Sequence, residues 1–279
     1  MSNATPQALV IGAVTWDHDL DRPRASPRPG GVPTFAGRAL ARLGVTTRVV
    51  TRIDARDDAV LAPLRAAGVE VLALPSRRTT TYGNRYGGSD DGHELWERSD
   101  PIVPGDVPAS WLGGAQAVVA GPLHPHDVAP ACVADTAGVV GVDLQGLLRG
   151  ERLGHDAVQP LVRAWCRVAT VVQVSATDLA ALFDATSARA IRTAYGIREL
   201  VITWGARGAT VATATGVLDV PAARVVQGET RGAGDAHLAA YVLGRALGRE
   251  PIDAATAASM AAARSIEAGE PAAGAPHGA

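Results

Sequence analysis

The stretch from Val225 to Tyr241 reads VVQGETRGAGDAHLAAY and carries the strongest structural signal in the chain. Glycines at 232 and 234 allow a tight turn into a helix that continues through apolar residues as far as Leu247. Backbone N–H groups at the start of a helix have no intrahelical partner, and the helix dipole adds positive potential there. The pattern therefore predicts an anion-binding turn at a helix N-terminus.

Asp235, in the first turn of this predicted helix, has two interpretations. An acidic residue there is commonly an N-terminal cap with no chemical role. A carboxylate beside an anion-binding turn can instead accept a proton from an attacking hydroxyl while the turn holds a transferring phosphoryl group. The turn alone leaves both interpretations open.

Around this stretch, short apolar runs alternate with alanine-rich segments of helical periodicity. Strands separated by helices of this size pair in parallel through crossover connections. The alternation predicts an α/β fold of three layers, α/β/α, with a mainly parallel central sheet and its functional site at the carboxyl ends of the strands. The predicted strands are 8–12, 47–53, 69–74, 117–120, 139–143, 170–174 and 199–203, and the predicted helices are 34–43, 58–67, 125–136, 160–166, 177–183 and 187–195.

Two polar stretches interrupt this alternation and predict a small β lid. Residues 18–29 are rich in proline and arginine, and residues 77–100 read as two polar strands around a glycine turn at 87–92. The predicted organisation is a single unit with a core of 5–17, 30–76 and 101–270, a lid of 18–29 and 77–100, and a disordered tail at 271–279.

The composition excludes several function classes. All 26 basic residues are arginine, which removes lysine-dependent P-loops, protein-kinase sites and Schiff-base chemistry. A formal net charge of −2 argues against nucleic acid or an acidic membrane surface as partner. We find no export signal and no apolar run long enough to span a membrane, so we expect a cytoplasmic protein in which Cys132 and Cys166 are buried thiols.

The motif Glu229-Thr230-Arg231-Gly232-Ala233-Gly234-Asp235 resembles the C-terminal signature of the ribokinase-like (PfkB) carbohydrate kinases. The resemblance extends along nearly the whole chain in the expected order. It includes the first strand with Asp17, the pair Gly30-Gly31, the segment Ser175-Ala176-Thr177-Asp178 at the family's magnesium motif, and Thr203-Trp204-Gly205-Ala206-Arg207-Gly208 at its nucleotide-binding motif.

Some details are closest to the inositol kinase branch of that family. These are Phe35, Thr79-Thr80, Asp100-Pro101-Ile102-Val103-Pro104, the stretch from Val142 to Arg149, and Ser175. Three positions depart from the family pattern. Asp178 is one carbon shorter than the usual glutamate, Glu229 replaces aspartate, and His237 stands where an aromatic residue is common.

The resemblance implies a ribokinase-like fold and a role for each matching residue. Asp235 would be the general base, with an anion hole of Gly232, Ala233 and Gly234. The substrate would contact Asp17, Gly31, Phe35 and Thr80; the nucleotide would contact Ser175, Thr203, Gly205, Gly208, Thr230 and Arg231; and Asp178 with Asp143 would order waters on magnesium. For Arg231, a solvated surface arginine is an equally good interpretation.

The implied activity is ATP- and Mg²⁺-dependent phosphorylation of a hydroxyl on a small polyol, with an inositol-like cyclitol as the leading acceptor. The alternatives are a nucleoside or other sugar kinase of the same family, or a catalytically silent protein that binds a sugar or nucleotide. The sequence leaves open whether a monovalent cation activates the enzyme and whether the lids pair into a homodimer.

A metal site at His124-Pro125-His126-Asp127 is the weaker interpretation of that segment, because no third ligand follows by spacing.

Overall fold

The computed structural model describes residues 5–85, 92–149 and 153–268. Its helices and strands alternate through most of the chain, as the apolar pattern predicts. In chain order they are β1 (Gln7–Gly12), β2 (Thr15–Asp19), β3 (Arg28–Gly30), α1 (Val32–Arg42), β4 (Thr46–Ile53), α2 (Ala62–Ala66), β5 (Glu70–Pro75), β6 (Thr80–Asn84), β7 (His93–Glu97), α3 (Ala109–Gly114), β8 (Ala117–Gly121), β9 (Val139–Asp143), α4 (His155–Val168), β10 (Val171–Ser175), α5 (Leu179–Leu182), α6 (Ala188–Tyr195), β11 (Glu199–Thr203), β12 (Ala209–Ala212), β13 (Val217–Val220), α7 (Ala233–Ala246) and α8 (Pro251–Glu267).

The larger sheet has the strand order β13-β12-β11-β10-β9-β8-β1-β4-β5. The strands from β11 to β5 pair in parallel, whereas β12 and β13 form an antiparallel extension at one edge. Central strands such as β8, AVVAG, are buried along their whole length, which is the pattern of a parallel sheet covered on both faces. The predicted α/β fold with a mainly parallel central sheet is confirmed.

Two apolar cores lie on opposite faces of this sheet. One contains residues of α1, α7 and α8, and the other contains residues of α4 and α6. Helix α7 packs against α1, α8, β8 and β9, so every residue from Ala236 to Gly244 is buried. This packing fixes the N-terminus of α7 at the carboxyl end of the sheet.

A second, four-stranded sheet has the order β3-β2-β6-β7, in which β2 and β6 are parallel and the other pairs are antiparallel. It contains the two polar stretches predicted as a lid. Strands β2 and β3 extend to Thr15 and Gly30, which the prediction assigned to the core, whereas β6 and β7 lie within the predicted stretch 77–100. The glycine turn falls mostly on residues 86–91, and that part, like the tail 271–279, lies outside the described residues.

Three helix predictions need correction. The segment 125–136 is a loop with a short 3-10 turn at Pro130–Val133, since the Asp127 carboxylate accepts the Leu123 N–H and Val128 bridges to Ile102. The predicted helix 58–67 is a 3-10 helix, Ala55–Leu61, followed by the short α2. Helix α4 begins at His155, five residues before the predicted start at Pro160. None of the helices in the described ranges is long and apolar enough to cross a membrane.

Candidate active site

A cleft of about 580 Å³ lies between the carboxyl end of the larger sheet and the small sheet. Most residues predicted for substrate binding and catalysis line it, together with one predicted metal residue and two predicted nucleotide contacts. These are Asp17, Gly31, Phe35, Asp143, Thr230, Arg231, Gly232, Gly234 and Asp235. The N-terminus of α7 and strand β2 therefore face each other across the cleft.

The predicted anion-binding turn is a type II β-turn over residues 230–233. Gly232 occupies its third position with φ 74° and ψ 1°, a conformation that favours glycine. The Ala233 N–H donates to the Thr230 carbonyl at 3.0 Å, so this predicted anion donor is already engaged within the turn. Gly234 and Asp235 lie in the first turn of α7, where N–H groups have no intrahelical acceptor.

Gly232 also makes room for an aromatic neighbour. A Cβ atom added to Gly232 would lie 2.1 Å from the Phe35 ring, so no other residue fits here without displacing Phe35. Gly30 in β3 likewise makes room for the Asp17 side chain of β2, because a Cβ atom added to Gly30 would lie 2.1 Å from Asp17 Oδ2. These two glycines explain in steric terms why the cleft walls approach so closely.

Asp235 lies in a field of other charged groups. Burial, together with the negative charges of Asp143 and Asp17, raises its pKa to about 7 against the opposing effect of the Arg149 guanidinium. The N-cap position of α7 is Gly232, and Asp235 is the third residue of the helix, so Asp235 is not the N-cap. A carboxyl group with a pKa near 7 is suited to taking and returning a proton.

The buried Gln173 side chain connects Asp143 with the first turn of α7. Its Nε2 donates to Asp143 Oδ2 at 2.8 Å and to the Gly234 carbonyl at 2.9 Å. Its Oε1 lies 2.9 Å from His237 Nδ1, and burial lowers the His237 pKa to about 4. The neutral His237 ring therefore donates its Nδ1 hydrogen to Gln173, which fixes the orientation of the amide. His237 is thus a hydrogen-bonding partner and not only a packing residue.

The donor set at Asp143 and Asp178 suits a magnesium ion. Asp178 Oδ2 is buried without a hydrogen-bond partner among the described residues. Burial and the negative charge of Asp143 raise the Asp178 pKa to about 6, and burial raises the pKa of Asp143 as well. Carboxylate oxygens are the ligands that Mg²⁺ prefers, and it usually takes one or two of them together with water and phosphate. The described residues contain no group of three or more His, Cys, Asp or Glu side chains arranged as a metal cage.

On the acceptor side, Asp17 is held by two neighbours. Its Oδ1 accepts from Thr15 Oγ1 at 2.7 Å, and its Oδ2 accepts from Arg231 Nη1 at 3.0 Å. The Arg231 guanidinium also lies 5.3 Å from the centroid of the Phe35 ring. The Asp17 and Glu229 carboxylates and the Phe35 ring lie beside the Arg231 side chain, which is 18% exposed, so the solvated interpretation of Arg231 is wrong. Its predicted phosphate contact stays a prediction.

Four of the six predicted nucleotide-binding residues lie outside the cleft, at or just after the next strand ends, whereas Thr230 and Arg231 line it. Ser175 ends β10 and Thr203 ends β11, and the two are register partners. Gly205 and Gly208 form the loop to β12 with φ 59° and 104°. Thr80, predicted to contact substrate, is also absent from the cleft wall; it is fully buried and its Oγ1 donates to Ser99 Oγ at 3.1 Å.

Comparison with known proteins identifies the family of this chain. A model described as pfkB family carbohydrate kinase matches residues 9–277. The chain belongs to the pfkB family. No match was found among curated proteins.

Several solved structures share the pfkB fold of this chain at low sequence identity. A structure described as a pyrophosphate-dependent kinase in the ribokinase family with a pyrophosphate analog and myo-inositol is 22% identical, with TM-score 0.81, and the match covers 95% of this chain and 96% of that one. A pyrophosphate-dependent myo-inositol-1 kinase converted into a myo-inositol-3 kinase is 21% identical, with TM-score 0.79 and coverage of 95% and 94%. A putative Ribokinase II from E. coli with ATP and Mg²⁺ is 17% identical, with TM-score 0.75 and coverage of 94% and 92%.

The sequence analysis missed two residues of this pfkB chain that support the site: Gln173, which is buried beside the cleft, and Arg28, which lines it. Gln173 lies in an apolar strand and reads as core, although a lone amide in such a strand is itself a signal of a buried polar contact. Arg28 lies in the proline- and arginine-rich stretch predicted as lid, and its side chain donates two hydrogen bonds to Glu229, 201 residues away. No local sequence pattern predicts a contact between residues so far apart in the chain.

Proposed function

We propose that this protein transfers a phosphoryl group from ATP to one hydroxyl of a small polyol, and that an inositol-like cyclitol is the leading acceptor. The observation that carries the proposal is the position of Asp235. Its carboxyl group lines the cleft in the first turn of α7, beside the left-handed Gly232 and opposite Asp17. Acceptor, base and anion turn would then meet within one cavity.

The proposed reaction needs one proton transfer and one phosphoryl transfer. Asp235 accepts the proton of the acceptor hydroxyl as that oxygen forms its bond to the γ-phosphorus, and the bond to the β-phosphate oxygen breaks. N–H groups at the start of α7, with Gly234 foremost, meet the charge on the transferring group. Asp17 accepts hydrogen bonds from other hydroxyls and orients the acceptor.

Asp143 and Asp178 would hold Mg²⁺ through their carboxylate oxygens. When bound, the ion would neutralise charge on the donor phosphates. Gln173 keeps Asp143 and the Gly234 carbonyl in fixed relative positions, so these residues link the metal side of the site to the anion turn.

Pyrophosphate is a second candidate donor. Gly232, Gly234 and Arg231, which are predicted to contact phosphate, line the cleft. Four of the residues predicted to contact a nucleotide, Ser175, Thr203, Gly205 and Gly208, do not. Two of the similar structures are of pyrophosphate-dependent kinases, one of them with myo-inositol bound. The chemistry at Asp235 would be the same with either donor.

The test is a matrix of donors and acceptors with purified protein and Mg²⁺. ATP and pyrophosphate are each offered with inositol stereoisomers, pentoses, hexoses and nucleosides, with and without KCl, and phosphorylated product is detected by mass spectrometry. Asp235→Asn serves as the blank. We expect product with a cyclitol. Product with a nucleoside or a hexose alone favours the alternative kinases of the family, and acceptor binding without product favours a silent binding protein.

A further inference from the structure

Four charged side chains of alternating sign meet where the small sheet faces the anion turn. Two come from neighbouring strands of the small sheet, because Asp17 in β2 and Arg28 in β3 are direct cross-strand partners and so share a face. The other two are Glu229 and Arg231 in the segment that enters the turn. We call these four residues the charge cluster.

Ion pairs connect the charge cluster in the order Arg28, Glu229, Arg231 and Asp17. Arg28 Nη1 and Nη2 bind Glu229 Oε2 and Oε1 at 2.8 and 3.0 Å, a bidentate geometry. Arg231 Nη1 donates a hydrogen bond to Asp17 Oδ2 at 3.0 Å. Arg231 Nε lies 3.2 Å from Glu229 Oε1, within ion-pair distance but without hydrogen-bond geometry. The four side chains are only 10–30% exposed, so solvent screens these pairs less than it screens a surface pair.

The charge cluster connects two parts of the site that the backbone does not connect locally. Asp17 carries the proposed acceptor contact, whereas Arg231 is the second residue of the type II turn that begins α7. Glu229 holds Arg231 from one side, and Arg28 holds Glu229 from the small sheet. A shift of β2 or β3 relative to α7 would break at least one of these pairs.

We propose that Arg28 and Glu229 are positioning residues that act through Arg231 to hold Asp17 in register with Asp235. This inference deepens the proposed function and rests on it, because the register matters only if Asp17 contacts an acceptor that Asp235 deprotonates. Neither Arg28 nor Glu229 needs to touch the reacting atoms. Their removal should weaken acceptor binding and alignment while leaving donor binding unchanged.

The test is a double-mutant cycle with Arg28→Gln, Glu229→Gln and the double variant. Arg65→Gln is the matched control, since Arg65 makes a bidentate pair with Asp58 at 2.6 and 2.7 Å on the surface, outside the cleft wall. For each variant the acceptor KM, donor KM and kcat are measured together with the midpoint of thermal unfolding. Both pairs have the same chemistry, so a general effect of losing a guanidinium would appear in both.

We expect each single change in the charge cluster to raise the acceptor KM on the order of tenfold, with a donor KM within about twofold of the wild type. The double variant should show about the same tenfold rise, because the second change removes a partner that is already lost. Arg28→Lys, which keeps the charge but not the bidentate fork, should fall between wild type and Arg28→Gln. If Arg28→Gln does not fold, Arg28→Lys and Glu229→Gln are judged by the same criteria.

Effects that multiply in the double variant, or singles that match Arg65→Gln, would overturn the positioning role. So would an equal rise in donor KM and acceptor KM. A wild-type protein that forms no product with any acceptor overturns the proposed function instead. In that case the coupling of Arg28 and Glu229 is still read from the cycle in unfolding midpoints, where additive changes would show that the charge cluster does not exist in solution.

Discussion

The transfer end and the donor end of the candidate site are built in different ways. At the transfer end, Asp17, Asp143 and the turn before Asp235 are each held by two or more side-chain or backbone contacts. At the donor end, the Ser175 hydroxyl contacts only Thr177 among the described residues, and a Cβ atom added to Gly205 would meet open space. One end is fixed before any ligand binds, and the other is a set of strand ends and loops.

This contrast has a mechanistic meaning. Groups that stabilise developing charge are effective when their dipoles are already oriented, because no energy is then spent on reorganisation during the reaction. Donor binding tolerates looser contacts, since a phosphate chain and a metal ion supply much of the interaction. Changes at the transfer end should therefore lower kcat, whereas changes at the donor end should mainly raise the donor KM.

The largest effect is expected for Asp235→Asn. The amide keeps the shape of the side chain but cannot accept the hydroxyl proton, so kcat should fall about 10³-fold. Donor binding, measured by calorimetry with ATP and with pyrophosphate, should stay within a few-fold of wild type. Activity equal to that of the wild type would remove the general base from the mechanism and leave the turn as a binding site alone.

Two glycine substitutions distinguish the transfer end from the donor end. In Gly232→Ala the new methyl group meets the Phe35 ring in a left-handed conformation, so the anion turn must move and kcat should fall about 10²-fold. Gly205→Ala imposes similar backbone strain at φ 59°, but nothing lies within 4 Å of the added atom. Its cost should be about 1 kcal/mol of stability, with kcat near wild type. A comparable loss of kcat in both variants would show that strain, and not the transfer end, controls turnover.

The dependence of activity on pH follows from the Asp235 pKa of about 7. The base must be ionised, so kcat/KM should rise about tenfold per pH unit up to about pH 7 and then level off. An acid limb centred near pH 4 would show that burial does not raise the Asp235 pKa in the working enzyme.

The raised pKa of Asp235 also makes the stability of the fold depend on pH, in the direction opposite to activity. Because the folded-state pKa is raised, the ionised carboxylate destabilises the fold, and stability falls as pH rises from about 4 to about 7. Asp235→Asn removes that penalty, so the variant should unfold at a higher temperature than wild type at pH 8. The difference should disappear near pH 4. Midpoints from thermal unfolding at the two pH values give the comparison.

Sequence patterns predicted the parts of the site that are written locally. Gly232 and Gly234 specify a turn by their backbone freedom, and apolar runs specify the strands whose ends carry Asp143, Ser175 and Thr203. The parts that sequence reasoning missed depend on contacts between distant segments. The loop at 125–136 has helical composition, yet the Asp127 carboxylate is bound to the Leu123 N–H and prevents the helix.

Gln173→Met tests how the transfer end is supported. Methionine has a similar length but no hydrogen-bond donor, so Asp143 and the Gly234 carbonyl each lose a contact. Outer contacts of metal-binding groups typically contribute 10- to 100-fold, and we expect kcat to fall about tenfold with a higher Mg²⁺ requirement. Unchanged Mg²⁺ dependence would separate Gln173 from the proposed metal site. Circular dichroism and the unfolding midpoint serve to exclude loss of the fold as the cause.

The smallest effect is expected for Ser175→Ala at the donor end. The Ser175 hydroxyl lies 2.8 Å from Thr177 Oγ1 and accepts the Thr177 N–H, so its loss costs little in the fold. Thr213→Ala is a matched control, because Thr213 makes the same pair of contacts with Thr215 in the turn before β13. Ser175→Ala should raise the donor KM about threefold with kcat unchanged, the loss expected for one neutral hydrogen bond, and Thr213→Ala should change neither. A fall in kcat for Ser175→Ala beyond that of Gln173→Met would mean that the donor end is as finely positioned as the transfer end. The two ends would then act as one preorganised site.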